Sequence, residues 1–214
     1  MSDILLYSAH ILGVTPLLIF LGFRVKRKFL NAASRQVLPI SLLMALSTIV
    51  ELAFTPYWLS NDIWFRLFSL LEFYTVAWFF ASEFKGRYKK LINVFYVILT
   101  AIWLAVTLWV PLKVGSDMLI SLPETFFTFT LVFLWFKDIF QRLQKISLLD
   151  SFSFYFVAGI TFYLACSMFV GILQKQISDN EDLLLSDLWK INVVAVLVAR
   201  MLFDMSAWKA AKSN

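Results

Sequence analysis

Seven runs of membrane-spanning length divide the chain, and together they leave little sequence outside an apolar phase. They cover 4–23, 37–57, 63–83, 91–110, 118–136, 151–173 and 187–207 of the 214 residues. About 20 apolar residues cross a hydrocarbon core about 30 Å thick as a helix, whereas spanning strands alternate over about 10 residues. The composition is of the same kind: 61% hydrophobic and 15% charged, with a mean hydropathy of +0.80, far from a soluble average. The expected fold is all-α, a single domain over 1–214 of seven transmembrane helices joined by short loops.

Basic residues orient the bundle. The first connection holds Arg24, Lys26, Arg27, Lys28 and Arg35, and the third holds Lys85, Arg87, Lys89 and Lys90. The fifth holds Lys137, Arg142 and Lys145, and the tail adds Lys209 and Lys212, so 14 of the 19 basic residues fall on one side. The opposite loops hold Asp3, Asp62, Asp117, Asp179, Glu181, Asp182 and Asp187, with Lys113 and Lys175 as their basic residues. Cytoplasmic loops collect Lys and Arg, which places the N-terminus outside and the C-terminus in the cytoplasm of a multi-pass inner or plasma membrane protein. The net charge of +5 is then a topology signal that also suits anionic headgroups. With no soluble basic domain, nucleic acid is not an expected partner. Met1–Asp3 carries no positive segment ahead of the first run, so that run reads as a span and not as a cleavable signal. The single Cys166 permits no intramolecular disulfide.

Trp58, Trp64, Trp103, Trp109, Trp135, Trp189 and Trp208 lie at or near span ends, where interfacial anchors sit. Phenylalanine is heavy, at 23 residues. A Phe-rich lining suits a carotenoid, a quinone or a lipid tail, although packing against lipid and between helices is the simpler account. No cofactor is expected beyond such a bound lipid or hydrophobic small molecule. Glu72–Lys85 and Glu124–Lys137 form a loose internal echo, each running from an intramembrane Glu through aromatic residues to a Lys.

Ionisable residues inside spans are expensive, by about 2.5–3.5 kcal/mol each on insertion scales, and read by default as functional. At about 1.5 Å per residue, His10, Glu51 and Glu124 lie about 9 Å below the outer ends of their runs, Arg66 about 5 Å and Glu72 about 15 Å. Lys190 and Asn192 open the seventh run. These residues come from five helices and fall at similar depth, so they are the expected lining of a polar cavity open to the outside. Glu51 and Arg66 flank a short turn and can pair, Lys190 can neutralise Glu124 or Glu51, and Pro123 can kink the fifth helix beside Glu124. Arg66 and Lys190 are also near enough to the interface to snorkel outward. Arg200 and Asp204, four apart on one helix face, read as a structural pair at the inner end of the seventh run.

Familiar chemistry is missing. HExxH and GxSxG do not occur, six glycines offer no phosphate-cradling loop, and one His with one Cys gives no metal set. The centre of the seventh run, Val193–Val198, carries no Lys, so a retinal Schiff base of the microbial-rhodopsin kind is not expected.

Several stretches together resemble a group of small seven-helix membrane proteins common in Bacteroidota. They are Trp64-Phe-Arg-Leu-Phe-Ser-Leu-Leu-Glu72-Phe-Tyr, the aromatic run from Glu124 to Trp135-Phe136, Phe152 to Gly159-Ile-Thr-Phe-Tyr163, and Trp189-Lys-Ile-Asn192 with Trp208. The resemblance implies the seven-helix fold and makes Glu72 and Glu124 features of the group; it brings no activity with it.

Three functions fit these readings. The first is a sensory or ligand-binding module with an outer polar cavity, signalling through a separate cytoplasmic partner, and it is the favoured one. The second is a membrane-embedded enzyme on a lipid or isoprenoid, with Glu72 or Glu124 as general acid or base. The third is a small-solute or proton-coupled carrier using the same carboxyls as a relay.

Overall fold

In the computed structural model the described residues are 2–25, 32–54, 61–110, 118–142, 148–177 and 182–212, excepting the side chains of some helix-end residues. Among them are seven α-helices: α1 (Ser2–Val25), α2 (Ala32–Phe54), α3 (Asn61–Glu83), α4 (Lys89–Trp109), α5 (Met118–Arg142), α6 (Phe152–Ile177) and α7 (Asp182–Lys212). A single 3₁₀ turn, Leu148–Asp150, precedes α6. Five helices contain stretches long and apolar enough to cross a membrane: Ala32–Val50, Lys89–Trp109, Met118–Gln141, Phe152–Phe169 and Lys190–Lys212. In α1 the described side chains give the apolar stretch His10–Gly22, and α3 carries Arg66, Glu72 and Glu83. Pro16, Pro39 and Pro123 lie within α1, α2 and α5, as membrane helices tolerate.

Helix boundaries depart from the expected runs at several ends, among them the C-terminal end of the fifth helix and both ends of the seventh. The fifth helix continues past 136 to Arg142 and the seventh past 207 to Lys212. Burial explains both. Asp138 is enclosed on α5, and Ala207, Ala210 and Ala211 are enclosed on α7, so each helix still has neighbours to pack against where its sequence turns polar.

The chain forms two compact units, one from 1–48 with 146–214 and the other from 49–145. In the first, α7 packs against α6 and α1. Its inward face is small, with Ala195, Ala199, Ala207 and Ala210 buried, while Val194, Val198, Met201 and Met205 point outward and are exposed. Small residues let helix backbones approach closely where lipid offers apolar contact as good as any protein side chain. Where α6 passes α7, a Cβ on Gly159 would stand 3.3 Å from Ala199 O, Leu202 and Phe203. The α6–α7 pair is antiparallel: Phe156 meets Phe203 edge-on at 5.5 Å, and Ser206 Oγ donates to Phe152 O at 2.9 Å. Ser34 Oγ on α2 donates to Ala210 O at 3.2 Å.

In the second unit α3 packs against both α4 and α5. Its Phe73, Val76, Ala77, Phe79 and Phe80 are fully enclosed. Helix α4 offers Ile92, Phe95, Leu99 and Val106 at helical spacing, and α5 offers Ile120, Phe127, Leu131 and Trp135. Phe95 stacks on Phe127 at 4.4 Å. Much of the phenylalanine content is thus core and outer coat: Phe126, Phe133 and Phe140 are exposed on α5. Trp109 and Trp208 are exposed, in keeping with interfacial anchoring. Trp135 is buried, and its indole N–H donates to Glu83 Oε2 at 3.4 Å, so it is a core residue of the α3–α5 contact and not an anchor.

The close approach at Gly159 is testable. Gly159→Leu must push α6 from α7 against a backbone oxygen, and overpacking of this kind costs about 1–3 kcal/mol. The expected result is a clearly lower midpoint in a thermal unfolding assay of the detergent-solubilised protein.

Candidate functional site

Helix α3 carries a polar series one turn apart, Arg66, Ser69 and Glu72, on an otherwise aromatic helix. Arg66 is buried. Its Nη1 donates to Val106 O at 3.3 Å and Val110 O at 3.4 Å, carbonyls at the C-terminal end of α4, where a helix carries partial negative charge. In return, Trp103 Nε1 donates to Arg66 O at 2.7 Å. The guanidinium therefore caps α4 from a neighbouring helix, which a snorkelling side chain would not do.

Ser69 Oγ donates to Glu124 Oε2 on α5. Glu124 is 4% exposed and Glu72 is 6% exposed, and the two carboxyls stand near enough to interact electrostatically. Because Ser69 and Glu83 of α3 meet Glu124 and Trp135 of α5 in the same order, the helices run parallel, and Glu72 lies one turn further along α3 than the Ser69 that bonds Glu124. Among the described residues no side chain hydrogen-bonds to the Glu72 carboxyl, and the hydroxyl of Thr75 donates to the Glu72 backbone oxygen at 2.8 Å. A second polar seam runs between α3 and α4, where Tyr74 meets Thr100 and Tyr96 donates its hydroxyl hydrogen to Tyr74 O at 3.3 Å.

The proposed outer lining is thus only partly assembled by what the structure describes. Arg66, Glu72 and Glu124 belong to the unit of 49–145, whereas His10, Lys190 and Asn192 belong to the unit of 1–48 and 146–214. His10 is half-buried on α1, Lys190 is exposed on α7, and Asn192 is half-buried with its Oδ1 enclosed and without a hydrogen-bond partner among the described residues. Glu51 lies on α2, but its side chain is outside the described residues, and so is the expected Glu51–Arg66 pair. Among the described residues no cluster of three His, Cys, Asp or Glu is placed to hold a metal ion.

Arg200 lies on α7 among the described residues. Gly13 makes room for it: a Cβ there would collide with Thr48 Oγ1 and stand 3.1 Å from the Arg200 guanidinium. Asp204, one turn on, has an enclosed Oδ1 without a hydrogen-bond partner among the described residues.

Two groups escaped the sequence reading. Ser69 carried a signal, its position midway between Arg66 and Glu72 on one face. Asp138 is the one acid between Glu124 and Asp150 in a basic stretch; it is buried, and accepts from Arg87 Nη1 at 2.7 Å and from the Tyr88 hydroxyl at 3.3 Å.

Comparison with known proteins yields no matching family model, no significantly similar curated protein and no significantly similar solved structure.

The Ser69–Glu124 contact has a measurable signature. Ser69→Ala leaves a buried carboxyl without its donor, at a cost of about 1–3 kcal/mol. In thermal unfolding, Ser69→Ala is expected to destabilise the wild type markedly and the Glu124→Leu variant far less, a non-additivity that marks direct coupling.

Proposed function

We propose that this chain is a multi-pass membrane protein whose seven helices all span, N-terminus outside, and that it binds a small ligand at the Glu72–Glu124 carboxyl pair as a sensory module. The observation that carries this reading is that pair. Two neighbouring carboxyls are enclosed on adjacent helices, with one hydroxyl donor between them and a carboxyl, Glu72, that no described side chain bonds. Buried polar groups demand partners, and a ligand bearing hydrogen-bond donors supplies them. Arg66 serves the site indirectly, by fixing α3 against the end of α4. On this reading the site opens outward. The short inner loops leave the signal to a separate cytoplasmic partner, docked on the basic face, and the inner or plasma membrane is the compartment.

The topology is tested in a Cys166→Ser background. Ser2→Cys is expected to react with a membrane-impermeant maleimide in intact cells, and Ser213→Cys only after permeabilisation; the reverse pattern refutes the orientation.

The ligand site is tested by native mass spectrometry of gently solubilised wild type beside Glu72→Gln and Glu124→Gln. A small molecule or lipid carried by the wild type and lost from both variants is the expected result. Identical bound species in all three, at equal stability, assign the carboxyls to helix pairing instead.

A further inference from the structure

The turn between α3 and α4, 84–88, reverses the chain through left-handed backbone at Lys85 (φ 48°) and Gly86 (φ 84°). It is anchored from below. Arg87 and Tyr88 both bond the buried Asp138 carboxylate of α5, so the one basic side chain of the turn that has an acid partner is turned toward it. Lys85, Lys89 and Lys90 are exposed, and none of the three pairs with an acid among the described residues. A depression of about 600 Å³ opens here, lined by residues from Gly86 to Leu91 and by Asn93. The first turn of α4 adds to the positive field, having no acidic residue and no side-chain cap at Tyr88.

Directly below the lysines, α4 presents its most apolar exposed face. Val94, Val97, Ala101, Leu104 and Leu108 follow Lys90 at three- and four-residue steps on one side of the helix, with Ile98 beside them. Val97 is 70% exposed and Leu108 71%. The stretch from Lys90 to Ala101 rises about 16 Å, close to one leaflet of a core about 30 Å thick. Charge above and an apolar stripe below, on one line, match a molecule with an anionic head and a hydrocarbon tail.

We propose that this surface binds an anionic phospholipid, its phosphate held by Lys89 and Lys90 in the depression at the α3–α4 turn and an acyl chain lying along the α4 stripe. The site is separate from the Glu72–Glu124 pair and does not depend on the function proposed for it. Each lysine at a membrane surface strengthens anionic binding about fivefold.

The test is native mass spectrometry of the full chain offered equal amounts of dioleoylphosphatidylglycerol and dioleoylphosphatidylcholine, which differ only in the head. The wild type is expected to retain the anionic lipid by about tenfold or more over the zwitterionic one, and K89Q/K90Q to bring the ratio to about one. K209Q/K212Q, at the far end of α7, is expected to leave the preference intact, and excess glycerol phosphate to leave the lipid bound. Equal retention of both lipids by the wild type, or a preference that survives K89Q/K90Q, overturns the proposal. So does an equal loss in K209Q/K212Q, which marks bulk charge, or displacement by glycerol phosphate, which marks a soluble phosphate site.

Discussion

Where lipid surrounds a helix, an apolar side chain gains nothing by exchanging lipid for protein, so burial of hydrophobic surface does not assemble such helices. What remains is close backbone approach and polar contact, and both units are built on these. The alanine face of α7 and Gly159 of α6 bring two backbones together, with Ser206 and Ser34 donating across the seams. The large apolar residues of α7, Val194, Val198, Met201 and Met205, are left on the outside. In the unit of 49–145 aromatic packing takes a larger share, yet its helices are still tied by Arg66, Ser69, Tyr74 and Trp103.

Charge inside an apolar phase has to be met at once, and the chain meets it in three ways. Arg66 donates to the carbonyl end of a neighbouring helix. Asp138 accepts from Arg87 and Tyr88 of a turn. Glu72 and Glu124 are buried near each other, with the Ser69 hydroxyl donating to Glu124, and the proposed ligand site rests on that pair.

Much of the architecture is legible in the sequence because apolar run length leaves few alternatives. All seven runs coincide with helices among the described residues. The C-terminal ends of α5 and α7 were not legible, since Asp138, Lys209 and Lys212 look like loop residues until their partners are known. Lys209 lies 3.8 Å from Asp150 and over the Tyr155 ring, and Lys212 lies over Trp208. Glu72 and Glu124 stand out in sequence because each is an acid among aromatics. That they meet each other depends on the parallel register of α3 and α5, which no local pattern encodes.

The unit of 49–145 is continuous in the chain, while the other joins 1–48 to 146–214. During synthesis the middle unit has all its helices before α6 emerges. Helix α1, whose Gly13 receives Arg200 of α7, must wait for about 180 further residues, roughly 10–40 s at ordinary elongation rates. For that interval Gly13 and Thr48 lack their guanidinium, and α7 arrives late carrying a charge that Gly13 makes room for. Completion of the discontinuous unit is therefore a late event in biogenesis, and loss of α7 would leave α1 without that contact while the unit of 49–145 keeps all of its own helices.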